Sequence, residues 1–511
     1  MSMLKPSTSL AFLASLASLA SVIAACGDSP AAPSTPSVAD SGSDAAPGLD
    51  AGPLPVDGGA DASADSATDS ATDSATDGSV DAGNFSVRAL LRPLSENGHD
   101  RLYNVAYDAQ GRIVAVGQRC VGTGASDDCV SVVARFLADG TPDAAFGVDG
   151  VSAVNFASAG SAEVARGLVV TAEGKIVIAA IAEQTGAADA RERDVYLARF
   201  LADGRLDATF GIAGSATVEL APGRLVGSTY KTDSFWGLAA DAQGRLYVSG
   251  SCLAAGRDDT DYAVVRLEAS GARDATFGTA GLFTLDVSRF DATPKEILID
   301  GAGRPTVGGY YTNPATTVVA PIVFRLTTAG ALDAAFGTGG VFTQEVFPAA
   351  AEVYGLALQG THIVTAGYGR PNTGVEMDFL SLRLTPAGTL DTAYGTGGHR
   401  RVDLAAGRDT ARTLKVLPNG NVLLVGSGKH ASGDQDGMLA LLDRDGAPVA
   451  RFGAGGARAI DLGGSTDALW GLAVKPDGTG GVAVGVAAGA PVGSDAAAPD
   501  DDAALVVLDL R

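Results

Sequence analysis

The stretch Arg135-Phe136-Leu137-Ala138-Asp139-Gly140-Thr141-Pro142-Asp143-Ala144-Ala145-Phe146-Gly147-Val148-Asp149-Gly150 decides how the chain is read. Arg199, Arg266, Arg325 and Arg383 open the same pattern, Arg-[Phe/Leu]-x3-Gly-x2-Asp-x2-[Phe/Tyr]-Gly-x2-Gly. Its aspartates are Asp143, Asp207, Asp274, Asp333 and Asp391, and its aromatics are Phe146, Phe210, Phe277, Phe336 and Tyr394. A sixth copy is eroded: Leu441 replaces the arginine and Val449 the aspartate, while Gly446, Phe452 and Gly456 remain. Recurrence at a period of about 60 residues marks a repeat architecture, in which each unit buries its apolar face against the next.

The fifth unit shows what is repeated. Tyr354 to Leu358, His362 to Gly367, Met377 to Leu384 and His399 to Leu404 are short apolar runs separated by turn residues such as Gln359-Gly360 and Thr385-Pro386-Ala387-Gly388. Four short antiparallel strands per repeat make a propeller blade. The first three strands recur seven times, the last third strand being Leu505 to Leu508, but the fourth follows only six of them. The spare strand is at the other end, where Phe85 to Leu91 precedes the first blade. The expected fold is all-β: a seven-bladed β-propeller over residues 85–511, closed by the N-terminal strand completing the last blade. Closure removes a blade edge that would otherwise pair with other chains.

The motif and its copies resemble the delta-60 repeat, a propeller-type repeat of exported bacterial proteins. The resemblance covers Phe85 to Arg511, departs at Leu441 and Val449, and lacks the turn in the seventh unit. It implies fold and export, and carries no established catalytic residues.

The N-terminus agrees with export. Lys5 precedes the short apolar run Leu10 to Ile23, too short and too rich in Ala and Ser for a stable span. The sequence Ile23-Ala24-Ala25-Cys26-Gly27 resembles a lipoprotein lipobox. This implies a signal peptide over 1–25, lipidation of Cys26, and anchoring to the cell envelope, in the outer membrane because Gly27 rather than Asp follows the cysteine. Residues 26–84 then read as a disordered acidic Ala/Ser/Asp/Pro/Thr tether, with Asp65-Ser66-Ala67-Thr68 repeated three times. Eleven aspartates between Gly27 and Asn84 account for nearly half of the net charge of −23. The acidity therefore describes a self-repelling spacer, on the order of 40 Å long as a coil, more than a binding face. The basic clusters of a nucleic-acid protein are missing, and the propeller is expected to be monomeric.

Most candidate chemistry reads as structure. Each Arg/Asp pair sits in one turn, where Asp accepts backbone N–H groups and Arg forms a partly exposed ion pair of modest value; the aromatic plugs the turn. His99, His362, His399 and His430 make no metal-spaced pair. Asp434-Gln435-Asp436-Gly437 and Asp443-Arg444-Asp445-Gly446 resemble fragments of calcium loops, but the second occupies an ordinary turn and lacks a distal Glu. No metal and no cofactor are expected. Cys120 and Cys129 flank a short loop and could pair in an oxidising compartment; Cys252 is left over.

One set of residues is less ordinary. Aligning the first strands brings Tyr103, Arg166, Trp236, Lys295, Tyr354, Arg412 and Trp470 into register, each two residues before an apolar position, Val105, Leu168, Leu238, Ile297, Leu356, Leu414 and Leu472. First strands line a propeller's channel, so these seven should ring one mouth. Aromatic and cationic groups around a concavity suit an anionic or sugar-like ligand; alternatively they wedge neighbouring blades apart. The variable second-to-third loops open beside them, where binding function usually sits. The expected role is a non-enzymatic binding module for a protein, peptide or glycan. A hydrolase or lyase at the channel mouth and a rigid structural component are the alternatives.

Overall fold

A computed structural model describes residues 85–95, 98–121, 128–156, 163–183, 191–404, 407–429, 433–464, 466–490 and 500–511. The signal peptide, Cys26, the tether and His430 lie outside the described residues. Among the described residues, no helix is long and apolar enough to cross a membrane.

Strands pair antiparallel in consecutive sets of four. In the fifth set these are Ala350–Gln359, His362–Arg370, Asp378–Leu384 and His399–Val402. Six sets are consecutive in sequence. The seventh takes Thr466–Val474, Gly480–Ala490 and Asp500–Leu510, and its outer strand is Phe85–Leu91, paired in full with Asp500–Leu510 from Phe85 opposite Leu510 to Leu91 opposite Ala504. The first strands of neighbouring sets pack side by side around a circle that returns from the seventh to the first. The molecule is a propeller of seven blades, closed by its N-terminal strand. Fourth strands are shorter than the apolar pattern suggests: Val341–Thr343 stops before Val346, and His399–Val402 before Leu404.

The core follows the sheets. Strand residues are Val, Ile, Leu and Ala that meet the adjoining blade, as in the cluster of Val177, Leu197, Phe235, Val248 and Val265 spanning two blades. Cys252 is buried among them, and Cys120 is disulfide-bonded to Cys129 across the second-to-third connection of the first blade.

The recurring turn does more than the sequence suggests. The Arg135/Asp143 and Arg266/Asp274 pairs are buried, and the other three keep one half-buried member as expected, with side-chain exposures of 3–13% for the arginines and 4–16% for the aspartates. Nε donates to the aspartate at 2.6–2.8 Å, and the guanidinium lies 4.5–4.9 Å from the centroid of the aromatic ring that follows. The expectation of a pair confined to one turn is corrected by the other end of the guanidinium. Nη1 donates to a carbonyl of the next blade, Ala202, Ala269, Thr328, Pro386 or Arg444, at 2.5–3.0 Å. The glycine after each aromatic donates its N–H to the next residue of that same turn at 2.7–3.0 Å. The motif is a strap from each blade to its successor. A glycine of the receiving turn makes room: a Cβ on Gly330 or Gly388, both at positive φ, would stand 2.5 Å from the incoming backbone nitrogen.

This explains the eroded sixth copy. The seventh blade has no third-to-fourth turn, because its fourth strand comes from the other end of the chain, so an arginine at 441 would have no carbonyl to reach. Leu441, Val449 and Phe452 instead pack with Phe85, whose ring meets Phe452 edge-on at 5.3 Å. From the seventh blade to the first, the closing strand supplies substitutes: Arg88 donates to the carbonyl of Asp139, and Arg92 to that of Gly140 at 3.1 Å.

Candidate functional site: a ring of bulges at the channel mouth

All seven first strands break register at one place. The pairing skips from Leu102 to Asn104, Ala165 to Gly167, Phe235 to Gly237, Pro294 to Glu296, Val353 to Gly355, Ala411 to Thr413 and Leu469 to Gly471. The residue passed over is in each case Tyr103, Arg166, Trp236, Lys295, Tyr354, Arg412 or Trp470. A β-bulge leaves its extra residue out of the ladder and re-aims that side chain. The seven residues are thus brought together by a backbone device repeated in every blade.

Glycine permits the bulge. Opposite it stand Gly117, Gly250, Gly309, Gly367, Gly426 and Gly485, where an added Cβ would lie 1.8–2.2 Å from a carbonyl oxygen of the bulged strand. Ala180 stands there in the second blade. An isolated glycine closing an apolar strand is the sequence signal for such a bulge.

The seven side chains touch in chain order. Trp470 stacks on Tyr103 at 4.7 Å. Arg166 lies over Tyr103 at 5.2 Å and Trp236 at 4.7 Å. Lys295 lies over Trp236 at 3.5 Å and Tyr354 at 4.6 Å, and Arg412 over Tyr354 at 4.9 Å. Each of these contacts crosses a blade boundary, so the ring joins blades as well as lining the mouth. Second strands back it: the Tyr103 hydroxyl meets Gln118 Oε1 at 3.3 Å, and those of Tyr354 and Tyr368 are 2.9 Å apart. Burial, reinforced by the neighbouring hydroxyl, holds Tyr354 far above the usual phenol range, so it stays a neutral donor. Tyr103, Lys295 and Tyr354 are buried, whereas Arg166, Trp236, Arg412 and Trp470 are half-buried and offer the surface a ligand could meet.

Two further sets of residues follow from the bulge and were not singled out in the sequence. The position after it is glycine in four blades, because the neighbouring first strand passes close: a Cβ on Gly471 would be 2.8 Å from Asn104 Cα. In two of the other three blades, Asn104 and Glu296 fold back to accept the following N–H at 2.8 and 2.9 Å; the third has Thr413 there. Three residues before the bulge stand Asp100, Glu163, Asp233, Asp409 and Asp467, which accept N–H groups of the incoming connection, such as Leu220 to Asp233 and Leu462 to Asp467, both at 2.6 Å.

Glu296 places a carboxyl on a channel-lining strand. Burial pushes it up to about 7, against the pull of Lys415 from the first strand of the sixth blade. The folded state therefore binds this proton more tightly than the unfolded chain does. The resulting stabilisation is complete below the ordinary value of 4.5 and is lost as pH rises through about 7. Glu296→Gln should gain on the parent between pH 4.5 and 8, by about 1–2 kcal/mol for a half-buried group. Melting curves of both proteins across that range test it; parallel profiles would refute the assignment.

The remaining candidates are scattered. His99 lies 3.4 Å from Asp501, His362 3.6 Å from Asp391, and His399 meets the Phe347 ring edge-on. Asp443 accepts the N–H groups of Asp445 and Ala447, as a turn aspartate does.

The profile of the family described as Domain of unknown function (DUF5122) beta-propeller matches residues 172–210, from the first turn of the second blade to Phe210. No curated protein matches the chain. Among solved structures, U3-55K is similar at 12% identity over 82% of this chain and 98% of that one, with a TM-score of 0.42. A glucose dehydrogenase is similar at 13% identity over 67% and 95%, with a TM-score of 0.37. The β-propeller domain of the Trilobed protease from Pyrococcus furiosus is similar at 10% identity over 76% and 89%, with a TM-score of 0.39.

Proposed function

We propose that the chain is a delta-60-repeat lipoprotein of the bacterial envelope whose propeller binds a protein, peptide or glycan bearing anionic groups at the bulge ring. The observation that carries this reading is the common aim of the seven bulges. Seven blades present only Tyr, Trp, Arg and Lys at one mouth, with four of these side chains partly open. Packing alone would be served by aliphatic residues, as it is two positions further along each strand. Export and anchoring are supported by the lipobox-like Ile23 to Gly27 and the acidic segment behind it; equal incorporation of labelled palmitate by the parent and Cys26→Ser would exclude the anchor.

The binding test screens the Cys26→Ser chain on glycan and peptide arrays, then measures hits with Trp236→Ala/Trp470→Ala. The double variant should bind at least tenfold more weakly, about 1.4 kcal/mol. Unchanged affinity in a folded variant moves the site elsewhere, and a large fall in melting temperature with unaltered binding makes the ring an inter-blade wedge. Glu296 favours a second reading, acid–base catalysis in the channel, since a carboxyl titrating near neutrality on a channel strand suits proton transfer. A hydrolase or lyase would lose turnover in Glu296→Gln while retaining binding, and a binding module would have no turnover to lose.

A further inference from the structure

The disulfide of the first blade lies directly behind the ring. Cys120 and Cys129 stand opposite one another in the ladder of the second and third strands and are 1% and 5% exposed. Gln118 is two residues before Cys120, so both side chains share one face of the second strand. Its Nε2 donates to Cys120 Sγ at 3.4 Å and reaches Cys129 Sγ at 3.9 Å, while its Oε1 accepts the Tyr103 hydroxyl at 3.3 Å. One amide thus connects the sulfurs to a ring residue.

The bonding state of the sulfurs sets the direction of that amide. A disulfide has no proton to give, so the amide turns its NH2 to the sulfurs and keeps its carbonyl for Tyr103. Arg101, paired with Asp501, faces the same hydroxyl and offers only donors, which leaves the hydroxyl proton for Gln118. Two thiols would bring donors into this space, compete for Oε1, and no longer be held at bonding distance. Tyr103 in turn supports two of the half-buried ring members: Trp470 stacks on it and Arg166 lies over it. The fifth blade uses the same position differently, since Tyr368 holds Tyr354 from where Gln118 stands, with Arg370 in the place of Cys120.

We propose that oxidation of Cys120 and Cys129 completes the ring, so that the site takes its ligand only in a chain that has reached an oxidising compartment. The two thiols lose two electrons and two protons by exchange with a protein disulfide, which leaves as a dithiol. The proposal rests on the ring reading and adds a condition to it: Gln118 and the disulfide are positioning groups for Tyr103.

Trp470 reports on this without a ligand. The chain has two tryptophans, so Trp236→Phe in the Cys26→Ser chain leaves Trp470 alone. In that background, under native conditions, Cys120→Ser/Cys129→Ser and Gln118→Leu should each red-shift the Trp470 emission and strengthen its quenching by acrylamide, as the stack on Tyr103 loosens. Gln118→Leu keeps the disulfide and decides the matter alone where the cysteine variant does not fold. With Trp236 restored, Cys120→Ser/Cys129→Ser should bind an array ligand at least tenfold more weakly than the oxidised chain. An unchanged Trp470 signal in either variant overturns the proposal, even where the melting temperature falls, because a bond that only stabilises the blade predicts that result. Equal affinity of the oxidised and cysteine-free chains overturns it as well. Failure of the ring reading looks different: the oxidised chain then finds no ligand on the arrays.

Discussion

Removal of Phe85–Leu91 should lower the melting temperature by about 10 °C and make the chain self-associate. Seven consecutive residue pairs join this strand to Asp500–Leu510, and Phe85 and Leu90 are 8% and 7% exposed. Losing two such side chains costs roughly 2–5 kcal/mol each, and the ladder hydrogen bonds add about 1 kcal/mol apiece. The deletion also strips Phe452 of its ring partner and the first blade's turn of Arg88. The bared edge of Asp500–Leu510 is then a template for a second chain. Melting curves and light scattering of parent and truncated chain decide the matter. A truncated protein that stays monomeric with an unchanged melting point would show that the seventh blade does not depend on this strand.

The second large effect is expected at the strap. Arg266→Leu leaves Asp274 buried without its guanidinium and the Thr328 carbonyl without its donor. Breaking one side of a buried ion pair costs about 3–5 kcal/mol. The sixth blade shows how the fold lives without the pair, with Leu441 and Val449 in its place. Arg266→Leu/Asp274→Val should therefore recover part of the loss, and a double-mutant cycle by denaturant unfolding gives the coupling. Only part is recovered, because the fourth blade still presents the carbonyl that the seventh blade lacks. A single variant within about 0.5 kcal/mol of the parent, the ordinary scale of surface changes, would reduce the strap to a surface pair.

The architecture was legible because it is written several times over. One turn, repeated with fixed spacing, gives the blades, and an unequal strand count gives the closure. The ring residues were legible as a register, since they share one offset from the first strand's apolar face. The bulge beneath them was not, because it appears only where two strands are paired; its trace was the glycine closing the second strand. The strap's reach was hidden for a related reason. Asp143 lies eight residues from Arg135 and is visible as its partner, but the Ala202 carbonyl is 67 residues away and carries no side-chain signature. Glu296 carries no sequence signal of its own, since its place beside the bulge is set by the pairing of two strands.

Going round the ring, aromatic and cationic residues take turns: Tyr103, Arg166, Trp236, Lys295, Tyr354, Arg412, Trp470. Two kinds of member cannot alternate around an odd-numbered loop; somewhere two of one kind must be neighbours. The mismatch falls between Trp470 and Tyr103, where the last blade meets the first, and it is resolved by stacking one ring on the other. Two cations side by side would repel, so an aromatic pair is the cheaper defect. A six- or eight-bladed relative could alternate without interruption, whereas in this molecule the single irregular contact marks the seam at which the chain finds its own beginning.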